Sequence, residues 1–316
     1  MILVTGSAGY IGSQITKYFE INNIKYIGID NFLHSTQKNI VNQKKFIKVD
    51  CKETTKIEKI INKFHIETVI HCAASSYVIE GELKKKKYIN NNYKNTKKFI
   101  DSCNKNSVKN FIFLSSSNVY SQSNKPYKEN AKKKPKNTYG KTKLAIEKYL
   151  EKKKFDNLIV LRLFNIIGLI RNFYVPKKVN KNYQRLITNL FKQNKKENVV
   201  IRYKKINKKK ILYPKRDFLD IRDFLKFLKK IIQLLKKNKN SKIILNVGSG
   251  NSISINHIIH LCKNKFNLNI NPIYAHINVK EIMITKANID KSIKKLKWKP
   301  KVSIFTSLLS YKKFLK

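Results

Sequence analysis

The sequence has no unbroken run of eighteen apolar residues, so a membrane-spanning helix is not expected. Its opening, Met1-Ile-Leu-Val-Thr-Gly6, has no basic segment ahead of an apolar stretch and meets a glycine at once, so no signal peptide is expected there. The four cysteines, Cys51, Cys72, Cys103 and Cys262, are far apart and form no CxxC pair; free thiols in a reducing cytoplasm are expected. His257 and His260 stand three apart with no third ligand at matching spacing, so no metal site is expected. Acidic residues are scarce, with 19 Asp and Glu against 69 Lys and Arg and a net charge of +50. Arginine is scarce as well, at only six residues. Nucleic-acid readers favour Arg forks and clustered aromatic platforms, whereas these lysines are spread along the chain. No specific nucleic-acid partner is expected, although charge alone predicts non-specific polyanion binding at low salt. The parallel over-use of Lys, Asn and Ile fits A/T-rich codon usage.

What is present is a chain of 316 residues, 41% of them hydrophobic, enough for one large domain or two modest ones. Its first half alternates strand and helix. Strands are predicted at "ILVTG", "KYIGID", "KFIKVD", "TVIHCAA", "NFIFLSS" and "LIVLRLF". Helices are predicted over Ile11 to Asn22 with Ile11, Ile15, Tyr18 and Phe19 inward, through Ile57 to Phe64, over about Glu82 to Asn104, and around Tyr139. "DFLDIRDFLKFLKKIIQLL" reads as a further helix and "KIILNVGSG" as a further strand. Such alternation predicts an α/β fold with a parallel sheet between two helical layers. After Gly168 the pattern is less regular, and residues 171–215 are rich in Lys and Asn, with Pro176 and Pro214.

The first strand runs into Gly6-Ser-Ala-Gly9-Tyr10-Ile11-Gly12, a GxxGxxG turn that opens a helix. Glycines there allow a tight turn and close backbone approach to a pyrophosphate, and the helix start supplies N–H groups and a positive dipole end. The second strand ends in Asp30, followed by Asn31. A carboxylate at that position accepts bonds from the adenosine ribose and repels a 2′-phosphate, which favours NAD over NADP. Asp50, with Cys51 beside it, ends the third strand where it could reach the adenine edge. Cys72, Ala73 and Ala74 end the fourth in a small-residue turn that can pass close to the cofactor. The fold class is therefore a Rossmann-type, doubly wound parallel sheet. Residues 1–170 are expected to form the NAD-binding domain and 171–316 a smaller C-terminal substrate-binding domain, with a segment near 216–247 returning to the first.

The fifth strand delivers Ser115-Ser116-Ser117 to the same sheet edge, and about twenty residues later "NTYGKTK" opens a helix. Tyr139 and Lys143, four apart, lie one above the other on one helical face. An ammonium about 4 Å from a phenol contributes roughly 4 kcal/mol toward phenolate at an effective dielectric of about 20. That is the support a tyrosine general base needs near neutral pH.

Together these motifs resemble the extended short-chain dehydrogenase/reductases, and among them the nucleotide-sugar epimerases of the UDP-glucose 4-epimerase group. The likeness is carried by "VTGSAGYIGS", "DN" at 30–31, "VIHCAASSYVIE", "NNYKNT", "FLSSSNVY", "NTYGKTKLAIE", "RLFNIIG", "RDFLDIRD" and "LNVGSG", with a weaker "KWKP" at 297–300. The resemblance implies a catalytic set of Ser116, Tyr139 and Lys143, with Tyr139 taking the proton from the sugar O4. It implies that Tyr139 and Lys143 also touch NAD, that Asn92 orients the cofactor, that Asn165 and Arg216 hold the nucleotide diphosphate, and that Arg185, near an Asn position in the uridine-covering segment, contacts the substrate. It further implies 4-epimerisation of a nucleotide-diphosphate hexose through a 4-keto sugar, and a homodimer built on the helices near 82–104 and 139–154. UDP-glucose and UDP-galactose, or their N-acetylated counterparts, are the expected substrates. Departures are equally specific. Ser117-Asn118 stand where dehydratases carry Asp-Glu, Ser76 replaces a cofactor-facing Lys, Asn278 occupies an Arg position, and Thr285 falls near a position whose bulk limits N-acetyl groups. The alternatives are a decarboxylase, reductase or dehydratase on a nucleotide sugar, or a basic binding protein that keeps the fold without catalysis.

Overall fold

The computed structural model describes residues 1–176, 186–192, 197–207, 210–237, 240–276 and 282–316. In chain order its strands are β1 (Ile2–Thr5), β2 (Tyr26–Asp30), β3 (Phe46–Lys48), β4 (Thr68–His71), β5 (Asn110–Ser116) and β6 (Asn157–Leu163). Then come β7 (Asn165–Ile167), β8 (Glu197–Asn207), β9 (Lys210–Leu212), β10 (Lys215–Asp220), β11 (Ser241–Val247), β12 (Ser252–Ser254) and β13 (Ile270–His276). The helices are α1 (Tyr10–Ile21), α2 (Thr54–Lys63), α3 (Val78–Leu83), α4 (Lys85–Tyr88), α5 (Thr96–Lys105) and α6 (Thr138–Glu151). The later ones are α7 (Leu186–Lys192), α8 (Ile221–Lys237), α9 (Ile255–Phe266), α10 (Asp290–Leu296) and α11 (Ile304–Phe314).

Seven strands form one parallel sheet in the order β11-β6-β5-β4-β1-β2-β3. The chain builds outward from β1 to β3, then returns past β1 to lay down β4, β5 and β6. This reversal opens a crevice at the carboxyl ends of β1 and β4, where sheets of this kind bind ligands. Among the described residues, two three-stranded sheets, β12-β10-β7 and β13-β8-β9, accompany it.

Side-chain alternation explains why the central sheet is covered on both faces. Ile2 and Val4, Ile112 and Leu114, and Ile159, Leu161 and Leu163 join one apolar cluster with α1 and α8. Leu3, Phe111, Phe113, Leu158 and Val160 point the other way, into a cluster with α2, α5 and α6. Within α1, Ile15 and Phe19 are fully buried as the sequence predicts, whereas Ile11 and Tyr18 are only partly buried.

Two elements differ from the sequence reading. The long helix expected from Glu82 breaks at Lys84, and Ile89–Asn95 form a π-helical stretch between α4 and α5. The π turn brings Asn91 and Asn92 together against the loop after β4, where both bond Ser75. Residues 217–220 of the expected later helix instead extend β10, because the Asp220 carboxylate accepts from the Arg222 N–H at 2.7 Å and starts α8 after the strand.

Candidate active site

A cleft of about 1350 Å³ opens along the carboxyl edge of the central sheet. Gly6 turns the chain there at φ +65°, and a Cβ on it would sit 2.9 Å from the Ala73 backbone. A Cβ on Gly12 would come within 2.1 Å of the Gly6 carbonyl oxygen, so the turn folds this tightly only with glycine at both places. Gly9 is the N-cap of α1 and provides no side-chain cap, which leaves the helix start able to receive an anion. Gly6, Gly9, Tyr10, Ile11 and Gly12 all line the cleft, as do Asp30, Asn31, Asp50, Cys51, Cys72, Ala73 and Ala74. Tyr10 also donates from its hydroxyl to the Gly168 carbonyl at 2.7 Å and lies 3.0 Å from the Tyr311 hydroxyl of α11.

Asp30 ends β2 nearly buried. Its carboxylate accepts from Ala8 N at 3.1 Å, Phe32 N at 2.8 Å and the Ser35 hydroxyl at 2.7 Å. Burial pushes its pKa up, while those hydrogen bonds pull it back. Asn31 donates to Asp50 at 2.8 Å, so the ends of β2 and β3 are tied side chain to side chain. The glycine turn, the uncapped helix start and a carboxylate at the end of β2 suit an adenine dinucleotide.

Ser116, Tyr139 and Lys143 line the same cleft. Ser116 ends β5, and its hydroxyl oxygen accepts from Asn118 N at 3.2 Å and Asn118 Nδ2 at 3.1 Å, so its own proton remains available to a ligand. The neighbouring Ser115 hydroxyl is instead committed to Glu147. Asn137 caps α6 by accepting from Gly140 N at 2.8 Å and donates to Asn118 at 3.0 Å, which couples the helix start to the Ser116 turn. Lys143 is buried; its Nζ donates to the Leu114 carbonyl at 2.7 Å and lies 5.9 Å from the centre of the Tyr139 ring. Burial lowers the Lys143 pKa to about 8, against smaller opposing contributions from Cys72 and Glu147.

Asn165, which begins β7, and Arg216, in β10, reach the cleft from its other side. Asn165 donates to the Asp217 carbonyl at 3.1 Å, and Arg216 to the carbonyls of Lys215 and Met283 at 3.0 and 3.3 Å. Arg185 and Asn278 lie outside the described residues. Asn92 stands apart from the cleft wall: it is buried, accepts from Ser75 N and donates to Ser75 O, both at 2.8 Å, and so sets the path of the loop after β4. Thr285 does not line the cleft either; it is buried, and its hydroxyl accepts from Asp217 N at 3.3 Å.

Several cleft residues carry no assigned site role in the sequence reading. Asn118 holds Ser116, and His34, Tyr77, Asn91, Thr188 and Asn189 complete parts of the wall. Of these, Tyr77, Asn91 and Asn118 sit inside motifs quoted above, whereas nothing local marks His34, Thr188 or Asn189. Among the described residues no group of three or more His, Cys, Asp or Glu could hold a metal ion, and no helix is long and apolar enough to cross a membrane.

Fold and cleft thus define a Rossmann-type dinucleotide-binding protein with a Ser-Tyr-Lys set at the sheet edge. The NAD dependent epimerase/dehydratase family model matches residues 2–248, and the chain belongs to that family, whose cofactor is NAD. The expected kinship with extended short-chain dehydrogenase/reductases of the nucleotide-sugar epimerase group is borne out. The chain is 26% identical over 327 residues to UDP-glucose 4-epimerase 2 of Arabidopsis thaliana, covering 96% of this chain and 91% of that one. It is 31% identical over 183 residues to the bifunctional protein GAL10 of Pachysolen tannophilus, covering 53% of this chain and only 27% of that relative. The crystal structure of UDP-glucose-4-epimerase from Stenotrophomonas maltophila, with bound NAD and formylated UDP-arabinopyranose, matches with a TM-score of 0.87 at 19% identity, covering 99% of this chain and 97% of that one. At that identity the match shows a shared fold.

Proposed function

We propose that the protein is a nucleotide-sugar 4-epimerase acting on a nucleotide-diphosphate hexose, with UDP-glucose and UDP-galactose as the first candidates. The observation that carries this reading is the meeting of Ser116, Tyr139 and Lys143 in one cleft with the glycine turn and Asp30. NAD, when bound, supplies a hydride acceptor and donor. Tyr139 removes the proton from the sugar O4 and later returns it. Ser116 donates its free hydroxyl proton to the same oxygen. Lys143 places positive charge beside the Tyr139 ring and reaches the nicotinamide ribose. The oxidised sugar is a transient 4-keto species, which turns over within the cleft before its reduction on the other face. Anchoring the diphosphate through Asn165 and Arg216 leaves the hexose free to rotate, so that remote binding serves the reacting centre.

Residues 1–170, with a return near 216–247, are assigned to NAD, and residues 171–316 to the substrate. A cytoplasmic homodimer is the accompanying assignment; its support is that all four cysteines are free and that α3 and the π-helical stretch present exposed Ile79, Leu83 and Ile89. Ser117 and Asn118 provide no carboxylate beside Ser116, which disfavours a dehydratase. The test is incubation with UDP-, dTDP- and GDP-hexoses and product identification by NMR. Interconversion at C4 without mass change supports the reading. Loss of water or carbon dioxide, or stoichiometric NADH consumption, would replace it with another activity of the family. A protein that binds no NAD would be a binding protein on the same fold.

A further inference from the structure

The loops that follow β2 and β4 stand on either side of β1 and its glycine turn, and they are joined above it by one side-chain bond. His34 Nε2, four residues beyond β2, lies 2.9 Å from the hydroxyl of Ser75, four residues beyond β4. Both posts of this bridge are fixed. On the β2 side the Asp30 carboxylate holds Phe32 N and the Ser35 hydroxyl, which bracket His34. On the β4 side Asn92 holds Ser75 N and O, and Asn91 Nδ2 donates to the Ser75 hydroxyl at 3.0 Å. The Ser75 oxygen accepts from Asn91, which leaves the Ser75 proton for an unprotonated His34 Nε2. Burial and the nearby Lys87 and Lys84 hold the His34 imidazole below its usual pKa, against the pull of Glu80, in keeping with that role. The Tyr77 ring meets the imidazole edge-on at 6.0 Å.

We propose that the His34–Ser75 bridge is a clasp across the dinucleotide crevice, which must open for NAD to enter or leave and so slows its release. A dinucleotide whose diphosphate rests on the start of α1 lies between the two loops the clasp joins. Slow release suits a reaction whose reduced cofactor must stay in place until the keto sugar has been reduced. The proposal rests on the NAD-site reading above and adds the residues that retain the cofactor.

The experiment is a chase: full-length protein loaded with radiolabelled NAD is diluted into excess unlabelled NAD, and loss of label is followed. His34→Ala and Ser75→Ala are each expected to release label about tenfold faster, the scale of one lost hydrogen bond. The double variant is expected to be no faster than either single one, because the two residues act through one shared contact. Ser75→Ala removes only a hydroxyl and keeps the test valid should His34→Ala fail to fold. Unchanged release, or effects that simply add, would overturn the clasp. Failure of the unaltered protein to take up NAD at all would overturn the cofactor-site reading, and the clasp with it.

Discussion

Glu147 and Arg162 form a buried, forked ion pair: Arg162 Nη2 lies 2.7 Å and Nε 3.2 Å from Glu147 Oε2, with the side chains 2% and 1% exposed respectively. Glu147 stands one helical turn beyond Lys143 on α6, and Arg162 lies on β6. The pair therefore fixes the helix that carries Tyr139 and Lys143 against the sheet. Ser115 donates to Glu147, and Arg162 donates to Tyr120 at 2.9 Å, which extends the network on both sides.

Removing one partner of such a pair strands a buried charge. Arg162→Met is expected to destabilise the protein by about 3–5 kcal/mol. The double variant Glu147→Leu/Arg162→Met is expected to lose clearly less than the sum of its single changes. Urea unfolding midpoints check this; strict additivity would show that the pair is energetically independent.

Tyr139→Phe deletes the proposed proton acceptor and leaves the ring. It is expected to lower kcat by about 10² or more while NAD affinity stays nearly constant. Steady-state turnover alongside fluorescence titration of NADH checks the split. A variant with near-normal turnover would remove Tyr139 from the chemistry.

Asp30→Ala removes the carboxylate at the end of β2. Weaker NAD binding and a smaller preference for NAD over NADP are expected. Calorimetric titration with both cofactors measures it. The Ala8, Phe32 and Ser35 donors lose their acceptor in the same change, so Asp30→Asn, which keeps an acceptor oxygen, separates the charge from the loop scaffold.

His71, at the end of β4, predicts an acid limb in stability. Burial, with a smaller push from Lys143, depresses its pKa to about 3. The unfolded chain gains a proton on this residue below its ordinary value of about 6.5, whereas the folded chain does not until about pH 3. Its contribution is therefore full above pH ~6.5 and is lost as pH falls toward 3, at up to about 1.4 kcal/mol per pH unit. Thermal melts between pH 4 and pH 7 are expected to be less pH-dependent in His71→Gln. Equal slopes in the two proteins would assign the acid lability elsewhere.

Local periodicity made much of this legible. Strands with apolar side chains on both faces, the glycine turn, and the four-residue spacing of Tyr139 and Lys143 all follow from contacts within a few residues. What escaped depends on distant partners. Asn92 reads as a polar residue on a helix until Ser75, seventeen residues away, is found holding both ends of its amide. The position of Lys143 Nζ depends on the Leu114 carbonyl, which belongs to another element. Residues 217–220, the end of β10, carry a helix-like apolar pattern, and their pairing with β7 and β12 overrides that pattern. Thr285 sits near a cleft motif in sequence but spends its hydroxyl on Asp217.

The hydroxyls of Tyr10 and Tyr311 meet beside Gly168, and Gln14 and Ser310 hold the next two backbone N–H groups, of Ile170 and Leu169. Opposite ends of the chain thus share one knot of polar contacts behind the glycine turn. Damage to α11 would be transmitted to the mouth of the cofactor crevice, so a lesion some three hundred positions away in sequence could act as a cofactor-affinity defect.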